Sequence, residues 1–147
     1  MPHLMTWDEF YLGLAKYVST ASKDPSTQTG AVITSPDNRL ISVGFNGFPR
    51  GVVDSPERYN DRELKYAMII HCERNAVLLA GRSVENATLY TYPFSSCTVC
   101  ASMMIQAGIK RHVAPVCPAD KWERWGADLQ RAIDLYREAG VVVDIVG

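Results

Sequence analysis

Trp7, Phe10, Tyr11, Leu14 and Val18 recur at helical spacing behind a Thr6/Glu9 capping-box pair, and together they predict a first helix over residues 6–21. Ser22 to Gln28, punctuated by Asp24-Pro25, is the exit loop. Ala31-Val32-Ile33-Thr34 and Leu40-Ile41-Ser42-Val43 are short β-rich runs flanking Pro36-Asp37-Asn38, the pattern of a hairpin. Residues 46–65 are rich in Gly, Pro and charge, too long for a plain turn, and read as a functional loop. A helix that is apolar on most sides is expected from Ala67 or His71 to Ala80, closed by Gly81. A strand over residues 88–92, a helix over 97–107 ending at Gly108 and a strand over 112–116 follow. Asp120 and Glu123 repeat the capping pattern ahead of Trp122, Trp125, Leu129, Ile133 and Tyr136, and Gly140 precedes a last strand over 141–146.

The resulting order, α-β-β-α-β-α-β-α-β, favours a mainly parallel sheet with helices on both faces and one antiparallel hairpin at its start. No internal repeat or low-complexity stretch interrupts it. The 147 residues are 47% hydrophobic and 21% charged, the ordinary composition of one globular domain, taken here as residues 1–147.

Charge narrows the function. A formal net charge of −1 argues against a long nucleic-acid track, and Arg50, Arg58, Arg62 and Lys65 are interleaved with Asp54, Glu57, Asp61 and Glu63. The expected partner is a small molecule, with neither nucleic acid nor membrane involved. No apolar run is long enough to span a bilayer and Met1-Pro2-His3-Leu4-Met5 lacks a secretion pattern, so a cytoplasmic protein is expected.

The densest chemistry lies in His71-Cys72-Glu73 and Cys97-Thr98-Val99-Cys100. One imidazole and two thiolates make three ligands for zinc, one short of a closed tetrahedron, and Glu73 stands beside the open position as a proton carrier. Both halves fall at predicted helix starts, where free N–H groups and the dipole favour thiolates and can bind a substrate oxygen.

Blander readings compete. Cys97 and Cys100 alone could be a redox dithiol, and Cys72 or Cys117 could close a purely structural zinc site. Against the second, Cys72 is one peptide unit from His71, and a closed site gives Glu73 no task. His3 and His112 read as ordinary surface or core residues, and Cys117 as a small buried hydrophobe. Tyr66 and Tyr92 fit either a base-flanking role or core filling.

His71-Cys72-Glu73-Arg74-Asn75-Ala76 with Cys97-Thr98-Val99-Cys100 resembles the signature of zinc nucleoside and nucleotide deaminases. The segments Ser22-Lys23-Asp24-Pro25-Ser26-Thr27-Gln28-Thr29-Gly30 and Gly44-Phe45-Asn46-Gly47-Phe48-Pro49-Arg50-Gly51 narrow the resemblance to deoxycytidylate deaminases, and with Gln106-Ala107-Gly108-Ile109-Lys110 it covers about residues 7–116. It implies a three-layer α/β/α sandwich around a mixed five-stranded sheet, and hydrolysis of dCMP to dUMP and ammonia. His71, Cys97 and Cys100 would hold Zn²⁺, Glu73 would shuttle the proton, and the N–H groups of Cys72 and Cys97 would stabilise the oxyanion. It further implies Asn46 on the sugar, Ser22 and Lys23 on the 5′-phosphate, dCTP (with Mg²⁺) or dTTP as effectors at Gly44, Phe45, Asn46 and Gly47, and a homo-oligomer, a hexamer in the family.

Two departures stand out. Ser96 occupies a position that is Pro in the pattern, which a cap can tolerate, and Phe45 replaces a Tyr common in the effector turn. No cysteine precedes Cys72, so one zinc per chain is expected. An RNA- or DNA-editing deaminase and a non-catalytic zinc-stabilised domain are the alternatives.

Overall fold

A computed structural model describes residues 2–147. Helix α1 (Trp7–Ser19) starts as its sequence dictates: the Thr6 hydroxyl accepts the Glu9 N–H at 3.1 Å, and the Glu9 carboxylate accepts the Thr6 N–H at 3.5 Å. Strands β1 (Gly30–Thr34) and β2 (Leu40–Phe45) form the hairpin. β1 is buried throughout while β2 is largely open, as expected of an interior and an edge strand.

The chain between β2 and the metal motif is not a plain loop. It holds α2 (Pro56–Asn60) and α3 (Arg62–Met68), capped by the side chains of Ser55 and Asp61. Met68 ends α3, and Ile70 pairs with Gly47 in an isolated bridge. The helix expected from residue 67 or 71 therefore begins only at Cys72, as α4 (Cys72–Leu78).

Strand β3 (Thr88–Tyr92), helix α5 (Thr98–Ala107), strand β4 (Arg111–Pro115), helix α6 (Ala119–Glu138) and strand β5 (Val142–Val146) complete the chain. Gly108 closes α5 at φ 97°, a conformation for which glycine is the cheapest residue. The start of α6 differs from expectation. Pro118, not Asp120, occupies the cap, and Asp120 sits within the first turn, where its charge favours the helix dipole.

The sheet order is β2-β1-β3-β4-β5. β1 lies antiparallel to both β2 and β3, while β3, β4 and β5 run parallel. The sheet is thus mixed, with more antiparallel pairing than the single hairpin expected, because the first hairpin strand rather than the second lies against β3.

Alternation along the strands separates two cores. Val32, Tyr90 and Val113 meet Tyr11 and Ala15 of α1 on one face. On the other, Ala31, Ile33, Leu89 and Val143 meet Ala76 of α4, Met104 of α5 and Ile133 of α6. Three layers result, with α4, α5 and α6 sharing a face. Gly44 sets how closely α4 approaches: a Cβ there would lie 2.5 Å from both Ala76 N and Cys72 O. Among the described residues no helix is long and apolar enough to cross a membrane.

Candidate metal centre and active-site cavity

Two helix starts converge on one point. His71 is the N-terminal flanking residue of α4 and Cys97 that of α5, where its sulfur accepts the Cys100 N–H at 3.4 Å. The cysteine does the work that Ser or Asp usually does in a cap. His71 Nδ1 lies 3.2 Å from Cys100 Sγ and 3.6 Å from Cys97 Sγ, and the three ligand atoms fall within 4.8 Å of one another. Tetrahedral zinc, with Zn–S of about 2.3 Å and Zn–N of about 2.0 Å, would separate nitrogen from sulfur by about 3.5 Å.

The three donors are coupled electrostatically. A hydrogen bond from the Cys100 thiol, aided by His71, draws Cys97 down to about 4. The same contact and burial push Cys100 up, so Cys97 is the more readily ionised of the two. Hydrogen bonding to Cys97 also raises His71. Arg74, which the sequence reading did not single out, donates from Nε to Cys100 Sγ at 3.1 Å and offsets thiolate charge.

Glu73 lies in the first turn of α4 and is only 4% exposed. The Cys72 thiol, raised by burial and thereby kept protonated, points toward Glu73 Oε1 at 3.7 Å. Cys72 is outside the three-ligand group, and so is Cys117, whose thiol faces Pro118 O at 3.5 Å.

A cavity of about 520 Å³ opens above this floor. His71, Glu73 and Cys97 line its base, and Asn46, Phe94 and Leu129 lie along its walls. Asn46 is largely committed to the scaffold: Oδ1 accepts the Thr29 N–H at 2.9 Å, and Nδ2 donates to Asp24 Oδ2 at 3.2 Å and to Thr27 O at 3.0 Å. Both amide hydrogens are used, leaving one acceptor lone pair on Oδ1. Neither Asn46 nor Gly47 has the positive φ of a tight turn pair.

Ser22 and Lys23 do not line the cavity. Ser22 is buried, donating to Asn46 O at 2.9 Å and accepting the Asp24 N–H at 3.2 Å. Lys23 reaches away to Asp54 at 3.4 Å. The inward lysine is Lys65, held by Asp24 at 2.9 Å. Gly44, Phe45 and Gly47 are outside the cavity too: Gly44 packs under α4, the Phe45 ring is 42% exposed, and Gly47 bridges to Ile70. Tyr66 lines the cavity edge-on to Trp125, whereas Tyr92 packs beneath Lys16.

Arg62, from the stretch read as a functional loop, also lines the cavity, as do Lys121, Arg124 and Trp125, which were not anticipated as lining it. Lys121, Arg124 and Trp125 share one stripe of α6, which spacing alone could have shown. Their proximity to the metal motif depends on the crossover from β4.

Behind the floor lies a buried polar network. His112 Nε2 accepts the Ser96 N–H at 3.2 Å and Nδ1 donates to Leu89 O at 3.1 Å, while the Ser96 and Tyr136 hydroxyls meet at 2.9 Å. Ser96 therefore does not cap α5; it ties the residue preceding Cys97 to β4 and α6. A proline at this position would have no N–H to give.

Residues 5–115 match the family model of the cytidine and deoxycytidylate deaminase zinc-binding region. An uncharacterized deaminase in the luxG 3′ region of Aliivibrio fischeri is 43% identical over 137 residues, covering 93% of this chain and 91% of that protein. The deoxycytidylate deaminase of Mus musculus is 36% identical over 112 residues, covering 72% of this chain but only 62% of its own length. In fold, the chain superposes on the dCMP deaminase of cyanophage S-TIM5, in complex with dCMP and dUMP, with a TM-score of 0.73 at 21% identity, covering 98% of this chain and 100% of that one.

Proposed function

This chain belongs to the cytidine and deoxycytidylate deaminase family, and from that premise we propose that it converts dCMP and water to dUMP and ammonia. The observation that carries the reading is the placement of buried Glu73 at the base of a nucleotide-sized cavity, beside the His71, Cys97 and Cys100 donor set. The deoxycytidylate deaminases among the relatives support dCMP as the substrate.

His71, Cys97 and Cys100 would hold the zinc, one per chain. When bound there, zinc supplies the Lewis acidity that makes water nucleophilic at neutral pH. The chain's own groups do the rest. The Glu73 carboxylate takes a proton from the attacking water and passes it to N3 of the cytosine as hydroxide adds to C4. It then carries the remaining proton to the departing amine, which leaves as ammonia. The N–H groups of Cys72 and Cys97, at the two helix starts, stabilise negative charge on the C4 oxygen. The free Oδ1 lone pair of Asn46 accepts a hydrogen bond from a sugar hydroxyl.

The same proposal covers residues 1–147 acting as one catalytic domain in the cytoplasm, assembled as a homo-oligomer and supplying dUMP for thymidylate synthesis. It also includes control by dCTP with Mg²⁺ or by dTTP at Gly44, Phe45, Asn46 and Gly47. The exposed Phe45 ring on edge strand β2 supports that last element, being open to a neighbouring copy. A net charge of −1 favours a free nucleotide over an editing substrate.

Glu73→Ala is the test: zinc content is expected to persist while ammonia release from dCMP falls below detection. Full activity in that variant would overturn the mechanism. Turnover of a tRNA anticodon stem, with none of dCMP, CMP, dCTP or deoxycytidine, would move the assignment to the editing class.

A further inference from the structure

Cys97 is held from both sides by one helix. Before it, the Ser96 hydroxyl meets that of Tyr136 at 2.9 Å. After it, the Thr98 N–H donates to Asp128 Oδ2 at 3.1 Å, and the Thr98 hydroxyl lies 2.9 Å from Asp128 Oδ1 and 3.1 Å from the Asp128 carbonyl oxygen. Asp128, Ala132 and Tyr136 follow one another at four-residue spacing on α6, so a single ridge of that helix reaches both neighbours of a metal donor. Ala132 and Tyr136 are fully buried and seat the ridge against the core.

Asp128 has no step in the deamination, yet its carboxylate is spent on the start of α5. The first N–H groups of a helix have no partner within it; Cys97 Sγ takes that of Cys100 and Asp128 takes that of Thr98. The carboxylate also complements the positive end of the helix dipole, and Arg131, at 3.7 Å, is the one cation within ion-pair reach among the described residues. The Thr98 N–H belongs to the peptide group that follows Cys97. Anchoring that peptide plane fixes the ψ of Cys97, at 166°, and with it the direction in which the sulfur leaves the backbone.

We infer that Asp128 is a positioning residue for the metal centre: acting through Thr98, it holds Cys97 in ligand geometry, and α6 thereby sets how tightly the His71, Cys97 and Cys100 set retains zinc. The inference rests on the reading of those three residues as the zinc donors. A donor held in place before the ion arrives loses little freedom on binding it, which is how groups behind the ligands raise metal affinity. Asparagine can do the same work as aspartate here. Its Oδ1 accepts the Thr98 N–H, its Nδ2 donates to the Thr98 hydroxyl oxygen, and that hydroxyl turns its proton to the carbonyl oxygen of residue 128. Alanine leaves the Thr98 N–H without its partner.

The test is zinc affinity by chelator competition, measured well below the melting temperatures of the metal-free proteins so that unfolding makes no contribution. Asp128→Ala is expected to weaken zinc binding by roughly 10–100-fold, and Asp128→Asn to stay within about threefold of the parent. Adding Thr98→Val to Asp128→Ala should cost nothing further, because both changes cut the same tether. Asp134→Ala removes another carboxylate of α6, one that accepts from Gln130, and should leave zinc affinity unchanged. In the Co²⁺-loaded proteins the thiolate charge-transfer absorption should shift in Asp128→Ala and match the parent in Asp128→Asn. The Asp128 side chain is 36% exposed, so its loss opens no core cavity; should the alanine variant still not fold, Thr98→Val alone decides, a loss of about threefold or more supporting the tether and none refuting it. Zinc affinity in Asp128→Ala within about twofold of the parent, or an asparagine variant as weak as the alanine one, would overturn the inference while leaving the donor set standing. A parent chain that takes up no zinc would refute the donor set and the inference with it. A parent that holds zinc but releases no ammonia from dCMP would refute the deaminase reading alone, and the competition assay would still decide the role of Asp128.

Discussion

Replacing His112 with phenylalanine removes the link between the sheet and the start of α5 while keeping ring shape and contact with Tyr136, whose ring lies 5.0 Å away. The imidazole is fully buried and uses both nitrogens, accepting from Ser96 N–H and donating to Leu89 O. Phenylalanine leaves one donor and one acceptor without partners in the interior. Each orphaned group costs about 1–3 kcal/mol, and the added apolar burial returns only part of that, so a net loss of about 2–4 kcal/mol is expected. This is a large share of a typical stability of about 5–15 kcal/mol. Urea unfolding followed by circular dichroism reads it directly. Because Ser96 precedes Cys97, zinc retention against a competing chelator should also weaken, by roughly 10–100-fold.

The pH dependence offers a second handle. Burial holds the His112 pKa below its ordinary value, so the unfolded chain takes up this proton before the folded one does. The stability contribution is complete above about pH 6.5 and is lost as pH falls below it, by up to about 1.4 kcal/mol per unit until the folded group titrates. That component is missing from the phenylalanine protein, so it should appear in the parent-minus-variant difference as a stability gap that narrows as pH falls below about 6.5. A variant as stable as the parent at pH 7.5, with equal zinc retention, would refute the reasoning.

Arg74→Ala should leave the fold intact and lower zinc affinity by roughly tenfold, because Cys100 loses its Nε–H donor; chelator competition checks this, and unchanged affinity would count against charge compensation. Gly44→Ala should cost about 1–3 kcal/mol, since the added carbon meets α4 backbone atoms that cannot rotate away, and a melting temperature within a degree of the parent would contradict the close packing.

Much of this fold was legible because its signals are local. The Thr6/Glu9 box and Gly108 are instructions carried by a few neighbouring residues, and each appears where expected. The His71 and Cys97 pair was legible for the same reason, since each begins a short periodic segment. The failures have a common cause in distant partners. α2 and α3, of five and seven residues, are too short and too evenly charged to show a period. The pairing of Lys23 with Asp54 was invisible for the same reason, since that partner comes from beyond β2. The cations of α6 were overlooked because only the passage of the chain over the sheet from β4 brings them to a cavity whose floor is encoded earlier.

The cavity is built from two kinds of material. Its floor rests on α4, α5 and the packed sheet, with Gly44 fixing one contact, whereas its mouth is made by two short helices and the exposed stripe of α6. Mutation meets these parts on unequal terms. Changes at the floor disturb bond-making chemistry and core packing together, while changes at the mouth alter what enters and how long it stays. A lineage carrying this architecture can therefore drift among related substrates by revising α2, α3 and the first turns of α6, and the reaction itself is inherited unchanged.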